Sequence, residues 1–149
     1  MKLPLIKLSI FAVLLHVTAC TKTARSLNSF KPGDITGKWN LVSDSTFMGI
    51  GAGNHAFDYT GSVRDYFNFN STGYVYTREG ASLKTLTYRM VLDTSIIISD
   101  FGIILNGIQE TSTISGLTAS NGSTQTIVIE SPFISTPGGN FWRKVILRR

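Results

Sequence analysis

Few residues in this sequence are of a type that could do chemistry. The chain has one cysteine, Cys20, two histidines, His16 and His55, and nine acidic side chains among 149 residues. A Ser-His-Asp triad would depend on His55, which lies in a glycine-rich stretch where we expect a solvated side chain. The acidic residues are scattered, and no pair has the spacing that a general acid and a general base would need. We therefore predict that the protein is not an enzyme.

The sequence does not indicate a cofactor, a metal ion or a nucleic-acid partner either. Asp58 and Asp65 lack the spacing of a calcium-binding loop, and no second histidine or cysteine accompanies His55 outside the first 20 residues. Gly49, Gly51 and Gly53 alternate with apolar residues, but this stretch lacks the lysine and the following helix of a phosphate-binding loop. The formal charge is +5, yet no basic stripe with interleaved aromatic residues is present.

The segment before Cys20 is typical of an export signal. Lys2 and Lys7 give it a positive start, residues 8–15 are apolar apart from one serine, and small residues 17–19 precede the cysteine. The apolar run is too short to span a bilayer. A single unpaired cysteine in an exported chain calls for an explanation, because exported proteins enter an oxidising compartment.

The sequence Val17-Thr18-Ala19-Cys20 resembles the lipobox of bacterial lipoproteins. In that family the cysteine is lipidated and becomes the first residue of the mature protein, although leucine is more usual than valine at the first position. The resemblance implies a signal peptide over residues 1–19 and lipid attachment at Cys20, with the membrane as partner. The alternative is a cleaved secretory signal with an incidental cysteine.

Residues 20–33 predict a flexible tether, because they are polar and aperiodic and carry Lys22, Arg25 and Lys31. Some bacteria direct lipoproteins to the cell surface with an acidic cluster after the cysteine, and this tether has none. We therefore expect a protein of the cell envelope, anchored in the outer membrane and facing the periplasm. Residues 34–149 are then one domain, long enough to enclose a single core.

The domain predicts an all-β fold. Side chains alternate in character from Gly37 onward, turn residues punctuate the chain, and no stretch keeps a helical period for more than about two turns. We count about eight strands, including short ones at 95–99 and 103–108 and a last one at 141–147. Antiparallel hairpins of this number avoid exposed edges by closing into an up-and-down barrel, and a two-sheet β-sandwich is the alternative.

The clearest hairpin turn begins at Asn70 and ends at Gly73. Asparagine first and glycine fourth predict a type I turn closed by a glycine bulge, which would pair Asn70 with Tyr74. A four-residue loop without the bulge would instead pair Asp65 with Arg78. We predict the bulge because a left-handed backbone costs glycine almost nothing, whereas an exposed charge pair is worth less than about 1 kcal/mol.

The stretch Gly37-Lys38-Trp39 resembles the opening of a lipocalin barrel. The turn ending at Gly73, the Ile114–Leu117 strand and the arginines of the last strand are similar to the small lipocalin-like domains of lipoproteins from Bacteroidetes-type bacteria. The resemblance implies that Trp39 plugs the closed end of the barrel above a tight turn at Gly37. It also implies an arginine packed over Trp39, for which we select Arg148, with Arg143 and Arg149 as alternatives.

Two functions are compatible with such a barrel. The first is a carrier or sensor that holds a small hydrophobic ligand among inward-facing side chains: Phe67, Phe69, Val75, Tyr88, Met90, Ile127 and Ile129. A loop over residues 46–60 would then place Phe47, Met48, Ile50 and Phe57 as a lid over the open end, and packing of these side chains against the outside of the barrel is the alternative. The second is an interaction or structural module of the envelope, with a solid barrel and an envelope protein as partner.

We predict that Cys20 carries the lipid and begins the mature chain, because the export signal, the small residues and the lone cysteine all point to it. Intact mass spectrometry of protein extracted from membranes should show a chain that starts at Cys20 and carries acyl groups. Anchoring should be firm, because several acyl chains are added to such a cysteine, whereas a single chain gives only marginal binding. An unmodified chain of 149 residues would contradict the prediction.

Overall fold

The computed structural model describes residues 32–50, 53, 55–105, 107–118 and 124–149. The predicted signal peptide, Cys20 and the tether up to residue 31 lie outside the described residues. In the described part of the chain, no helix combines the length and the apolar character needed to cross a bilayer.

Among the residues that the structure describes, one short helix precedes twelve strands. Their bounds are α1 Pro32–Ile35, β1 Gly37–Gly49, β2 His55–Thr60, β3 Tyr66–Phe69, β4 Tyr74–Glu79, β5 Ser82–Leu92, β6 Ser95–Ile98, β7 Ile104–Leu105, β8 Ile108–Gln109, β9 Ser112–Thr118, β10 Gln125–Glu130, β11 Ile134–Thr136 and β12 Gly139–Arg148.

Eight strand positions form a closed antiparallel barrel. Going round it, the neighbours are β1, β3, β4, β5, β6, β9, β10 and β12, and β12 pairs with β1 to close the ring. Strand β2 continues the path of β3 along β1, and β11 continues the path of β10 along β12. The predicted eight-stranded up-and-down barrel is confirmed, and closure rules out the two-sheet sandwich.

The β3–β4 hairpin has the predicted bulged register. Phe69 lies opposite Val75, and the Asn70 amide donates to the Tyr74 carbonyl at 2.8 Å. Gly73 has a φ of +88°, which a residue with a Cβ rarely adopts. Tyr66, rather than Asp65, lies opposite Arg78, so the unbulged alternative is wrong.

The predicted loop over residues 46–60 is wrong. Strand β1 runs to Gly49, β2 begins at His55, and residues 43–48 pair with residues 55–60. Met48 is paired with His55 on one side and with Phe141 on the other. Pairing on both edges holds residues 46–48 extended, although the composition of this stretch alone favours flexibility.

Two other strand boundaries differ from the sequence prediction. The stretch predicted as one strand, 103–108, instead contributes to two strands of two residues each, β7 and β8. These two strands pair with each other in a separate sheet outside the barrel. The last strand begins at Gly139 rather than at residue 141, because its first residues pair with both β11 and the end of β1.

The barrel has a closed end and a mouth. Strand β1 begins at the closed end, and the β4–β5 turn lies at the mouth, where Gly80 donates to Asp65. Beyond the mouth, four strands continue as a sheet in the order β2, β1, β12, β11. We call this sheet the extension: residues 43–49, 55–60, 134–136 and 139–144. Within the described chain, β2 has β1 on one edge and no strand on the other.

Gly61 lies where the chain bends from β2 into β3. A Cβ on Gly61 would lie 2.0 Å from the Leu41 carbonyl oxygen, far inside van der Waals contact. The Gly61 amide also donates to the Val42 carbonyl at 2.9 Å, which holds the two backbones together. The bend is therefore compatible only with glycine.

We predict that Gly61→Ala lowers the free energy of unfolding by at least about 2 kcal/mol, because one of two paired backbones must move. Gly138→Ala is the matched control, since its Cβ would meet its nearest neighbour at an ordinary 3.6 Å. That variant should stay within about 0.5 kcal/mol of the parent protein. Urea denaturation measures both, and equal midpoints for the two variants would contradict the prediction.

Candidate functional site

The closed end is sealed by Trp39. Its side chain is 1% exposed, and its Nε1 donates to the Ile35 carbonyl at 2.7 Å. The preceding turn needs Gly37, whose φ is +112°. The guanidinium of Arg149 stacks over the indole at 4.1 Å and donates to the carbonyls of Thr36 and Asp34, each at 3.1 Å.

The arginine over Trp39 is therefore Arg149, and the selection of Arg148 was wrong. Side chains alternate along β12, and Val145 and Leu147 point into the core. Arg148 has the opposite parity and is exposed, whereas Arg149 continues the inward series just past the end of the strand. The other alternative, Arg143, also points inward, but it lies near the mouth.

The side chains predicted to bind a hydrophobic ligand pack against one another. Six of the seven are buried in one core: Phe67, Phe69, Val75, Tyr88, Ile127 and Ile129. The seventh, Met90, is partly buried against that core. The Phe69 and Tyr88 rings meet edge to face with centroids 5.0 Å apart. The Tyr88 hydroxyl is satisfied by donation to the Asn70 carbonyl at 2.6 Å. The apolar half of the barrel is filled by its own residues.

Sequence analysis did not predict the charged cluster inside the mouth. Arg143 Nε donates to both Asp44 carboxylate oxygens at 3.1 Å, and its Nη2 donates to Asp44 and to Glu79, the latter at 3.2 Å. The face of the guanidinium lies 4.7 Å from the centre of the buried Phe101 ring. Asp44 is only 5% exposed, and its carboxylate is paired with Arg143.

Burial and the neighbouring charges shift the pKa values of Arg143 and Glu79. Burial lowers the pKa of Arg143, but the hydrogen bonds and charge of Asp44 outweigh burial and raise it above its ordinary value. Burial raises the pKa of Glu79, and the nearby positive charge of Arg143 offsets this only in part. Arg143 therefore stays charged beside Asp44, whereas burial makes the charged form of the Glu79 carboxyl less favourable.

A cavity of about 100 Å³ lies beside this cluster. Its lining is mostly polar: Phe67, Thr77, Glu79, Ser82, Lys84, Leu86, Asp100 and Arg143. Lys84 forms a surface ion pair with Asp100 at 2.7 Å on its rim. Sites for drug-sized ligands usually enclose about 300–1,000 Å³, so this cavity has room for water molecules rather than for an acyl chain.

Asp65 stabilises the mouth through hydrogen bonds of its carboxylate. It is 1% exposed and accepts hydrogen bonds from the Ser62 amide, the Tyr59 hydroxyl and the Gly80 amide at 2.7–2.8 Å. These bonds, led by the one from Ser62, hold the pKa of Asp65 well below its ordinary range. The carboxylate joins the β2–β3 bend to the β4–β5 turn, which is a structural role.

The extension carries the side chains predicted as a lid. Phe57 and Met48 are 51% and 44% exposed, and the His55 ring packs on Phe57 with centroids 4.2 Å apart. Ile50, just past β1, is also exposed. Phe47 points to the opposite face from Met48, and its ring centroid lies 6.1 Å from that of the exposed Phe133. Met48 and Phe57 therefore form an exposed apolar surface on one face of the extension, and Phe47 lies on the other face.

His55 is exposed, and its Nδ1 lies 2.7 Å from the Gly53 carbonyl oxygen. Within the described ranges, no group of three or more histidine, cysteine, aspartate or glutamate side chains is arranged to hold a metal ion.

The fold places this chain in the class of closed eight-stranded antiparallel β-barrels. Comparison with protein-family models, with curated proteins and with solved structures found no match in any of the three.

We predict that Asp44→Asn lowers the free energy of unfolding by about 3 kcal/mol, because it leaves Arg143 buried with only Glu79 to balance its charge. Lys84→Gln breaks an ion pair whose side chains are 52% and 64% exposed and should cost less than about 1 kcal/mol. Chemical denaturation at neutral pH compares the two. Equal losses would show that the cluster contributes no more than a surface pair.

Proposed function

We propose that the protein is a lipid-anchored envelope protein whose lipocalin-like barrel serves as a protein interaction module without catalytic activity. The observation that carries this proposal is the filled interior. The aromatic and aliphatic side chains that a carrier would turn towards its ligand form a single packed core. A bound acyl chain would have to displace them, and tightly packed cores resist such rearrangement.

The extension supports contact with another protein. Its apolar side chains are displayed to solvent on a paired sheet, and an exposed apolar patch on a soluble domain commonly marks an interaction site. The outer edge of β2 adds backbone donors and acceptors to this surface. An extended segment of a partner could pair with that edge, as in other cases of strand addition.

Anchoring at Cys20 is the second part of the proposal and rests on the sequence. The lipobox resemblance and the export signal support it, and so does the basic tether. Lipidation would confine the barrel to the envelope, where the local concentration of a membrane-bound partner is high. A weak contact through the extension would then be sufficient.

We predict that a photoreactive residue placed at His55 forms a discrete crosslinked adduct with an envelope protein in intact cells of the producing organism. Adding Phe57→Glu should abolish the adduct, because it puts a charge in the apolar contact. Leu83→Glu is the matched control: Leu83 is 68% exposed but lies on β5, outside the extension, so the adduct should persist.

The carrier function makes the opposite prediction for the same protein. It requires saturable, micromolar binding of a fluorescent fatty-acid analogue that is lost in Phe69→Asp, with the variant shown to be folded. We expect no saturable binding of this probe. Binding of that kind, together with no adduct at position 55, would replace the interaction module with the carrier.

A further inference from the structure

The two ends of the barrel carry different charge. Among the described residues, the closed end has four basic side chains, Lys38, Arg89, Arg148 and Arg149, all exposed, and two acidic ones, Asp34 and Asp93. The remaining charged residues, towards the mouth and the extension, are seven acidic and five basic. The described domain has no net charge as a whole, but its closed end is positive and its mouth negative.

The chain enters the barrel at the positive end. Helix α1 is held beneath Trp39 by the Nε1–Ile35 hydrogen bond and by the two bonds from Arg149 to backbone carbonyls. The twelve residues from Cys20 to Lys31 add three more basic side chains and no acidic one. Tether and closed end together thus present an excess of five positive charges.

Tether length alone does not orient the barrel. A flexible chain of twelve residues has an end-to-end distance of about 20 Å and reaches at most about 40 Å when extended. The thirteen residues of β1 also span about 40 Å along the strand. An anchored barrel could therefore lie on its side, unless a surface force selects one end.

We infer that the closed end is a contact surface for an anionic lipid bilayer, which holds the mouth and the extension away from the membrane. Anionic headgroups attract basic side chains within about one Debye length and repel the acidic mouth. Val91 and Leu92 end β5 at the closed end, two and three residues after Arg89, and are 41% and 67% exposed. They supply an apolar contact beside the charge.

This inference rests on the proposed anchoring at Cys20, and it adds an orientation. With the closed end against lipid, the apolar surface of the extension points into the aqueous compartment, where a partner can reach it. The opposite orientation would place the acidic residues of the mouth against anionic lipid.

The test uses the acylated full chain in vesicles of phosphatidylglycerol and phosphatidylcholine, with one new cysteine carrying an environment-sensitive fluorophore. Leu92→Cys places the label at the closed end, and Ile104→Cys places it on β7, where residue 104 is 65% exposed. We expect the label at 92 to be protected several-fold from a water-soluble quencher on phosphatidylglycerol, but not on pure phosphatidylcholine. The label at 104 should stay accessible on both.

Two charge-reversal variants distinguish an effect of the closed end from an effect of the protein's net charge. Arg148→Glu should reduce the protection at position 92 several-fold, whereas Lys144→Glu, an equal change of charge in the extension, should leave it unchanged. High salt should also remove the protection. Protection at 104 instead of 92, equal access at both positions, or equal effects of the two reversals would overturn the inference.

Loss of the anchor would be recognised separately. If mass spectrometry shows that Cys20 is not acylated, the proposed anchoring fails, and the same labels are then measured on the Cys20→Ser full chain added to vesicles. Selective protection at 92 on phosphatidylglycerol would still support the closed end as the lipid-contact surface. No association with either vesicle would overturn it.

Discussion

The pairing of β12 with β1 is the constraint on which the rest of the structure depends. Residues 40–49 of β1 lie against β12, and the other edge of β1 is shared by β3 and β2. This strand therefore closes the ring at one end and supports the extension at the other. Closure leaves no unpaired edge within the barrel wall, so its short strands are protected from edge-to-edge association.

Closure also creates an interior that must be filled, and the chain fills its two halves differently. Around Trp39 the interior is aromatic and aliphatic, whereas at the mouth it contains the Arg143 guanidinium with the carboxylates of Asp44 and Glu79. A buried ion pair of this kind is weak evidence for stability but fixes which side chains can face one another. The small polar cavity that results does not suit a lipid ligand, and this shifts the expected function from the interior to the surface.

The surface is divided along the same axis. The closed end, where helix α1 leads into β1, is basic, and the other end is more acidic and continues into the extension with its exposed Met48 and Phe57. Charge and apolar display thus follow the direction of β1, and the proposed anchoring would follow it too. A barrel with a solid interior can connect a membrane to a partner because its two ends differ in chemistry and are held apart by a rigid sheet.

The sequence by itself determined the all-β class, the bulged hairpin at Gly73 and the inward positions of the core, because alternation and turn chemistry are local. It did not determine that residues 43–48 pair with residues 55–60 or that Asp44 meets a residue 99 positions away. Both depend on β12, whose pairing supplies hydrogen bonds and charge that no local window contains. The choice of Arg149 over Arg148 has the same origin: stacking on Trp39 requires the inward parity of β12 and its position against β1 after closure. Tertiary structure decided those points because each joins segments that only the closed barrel brings together.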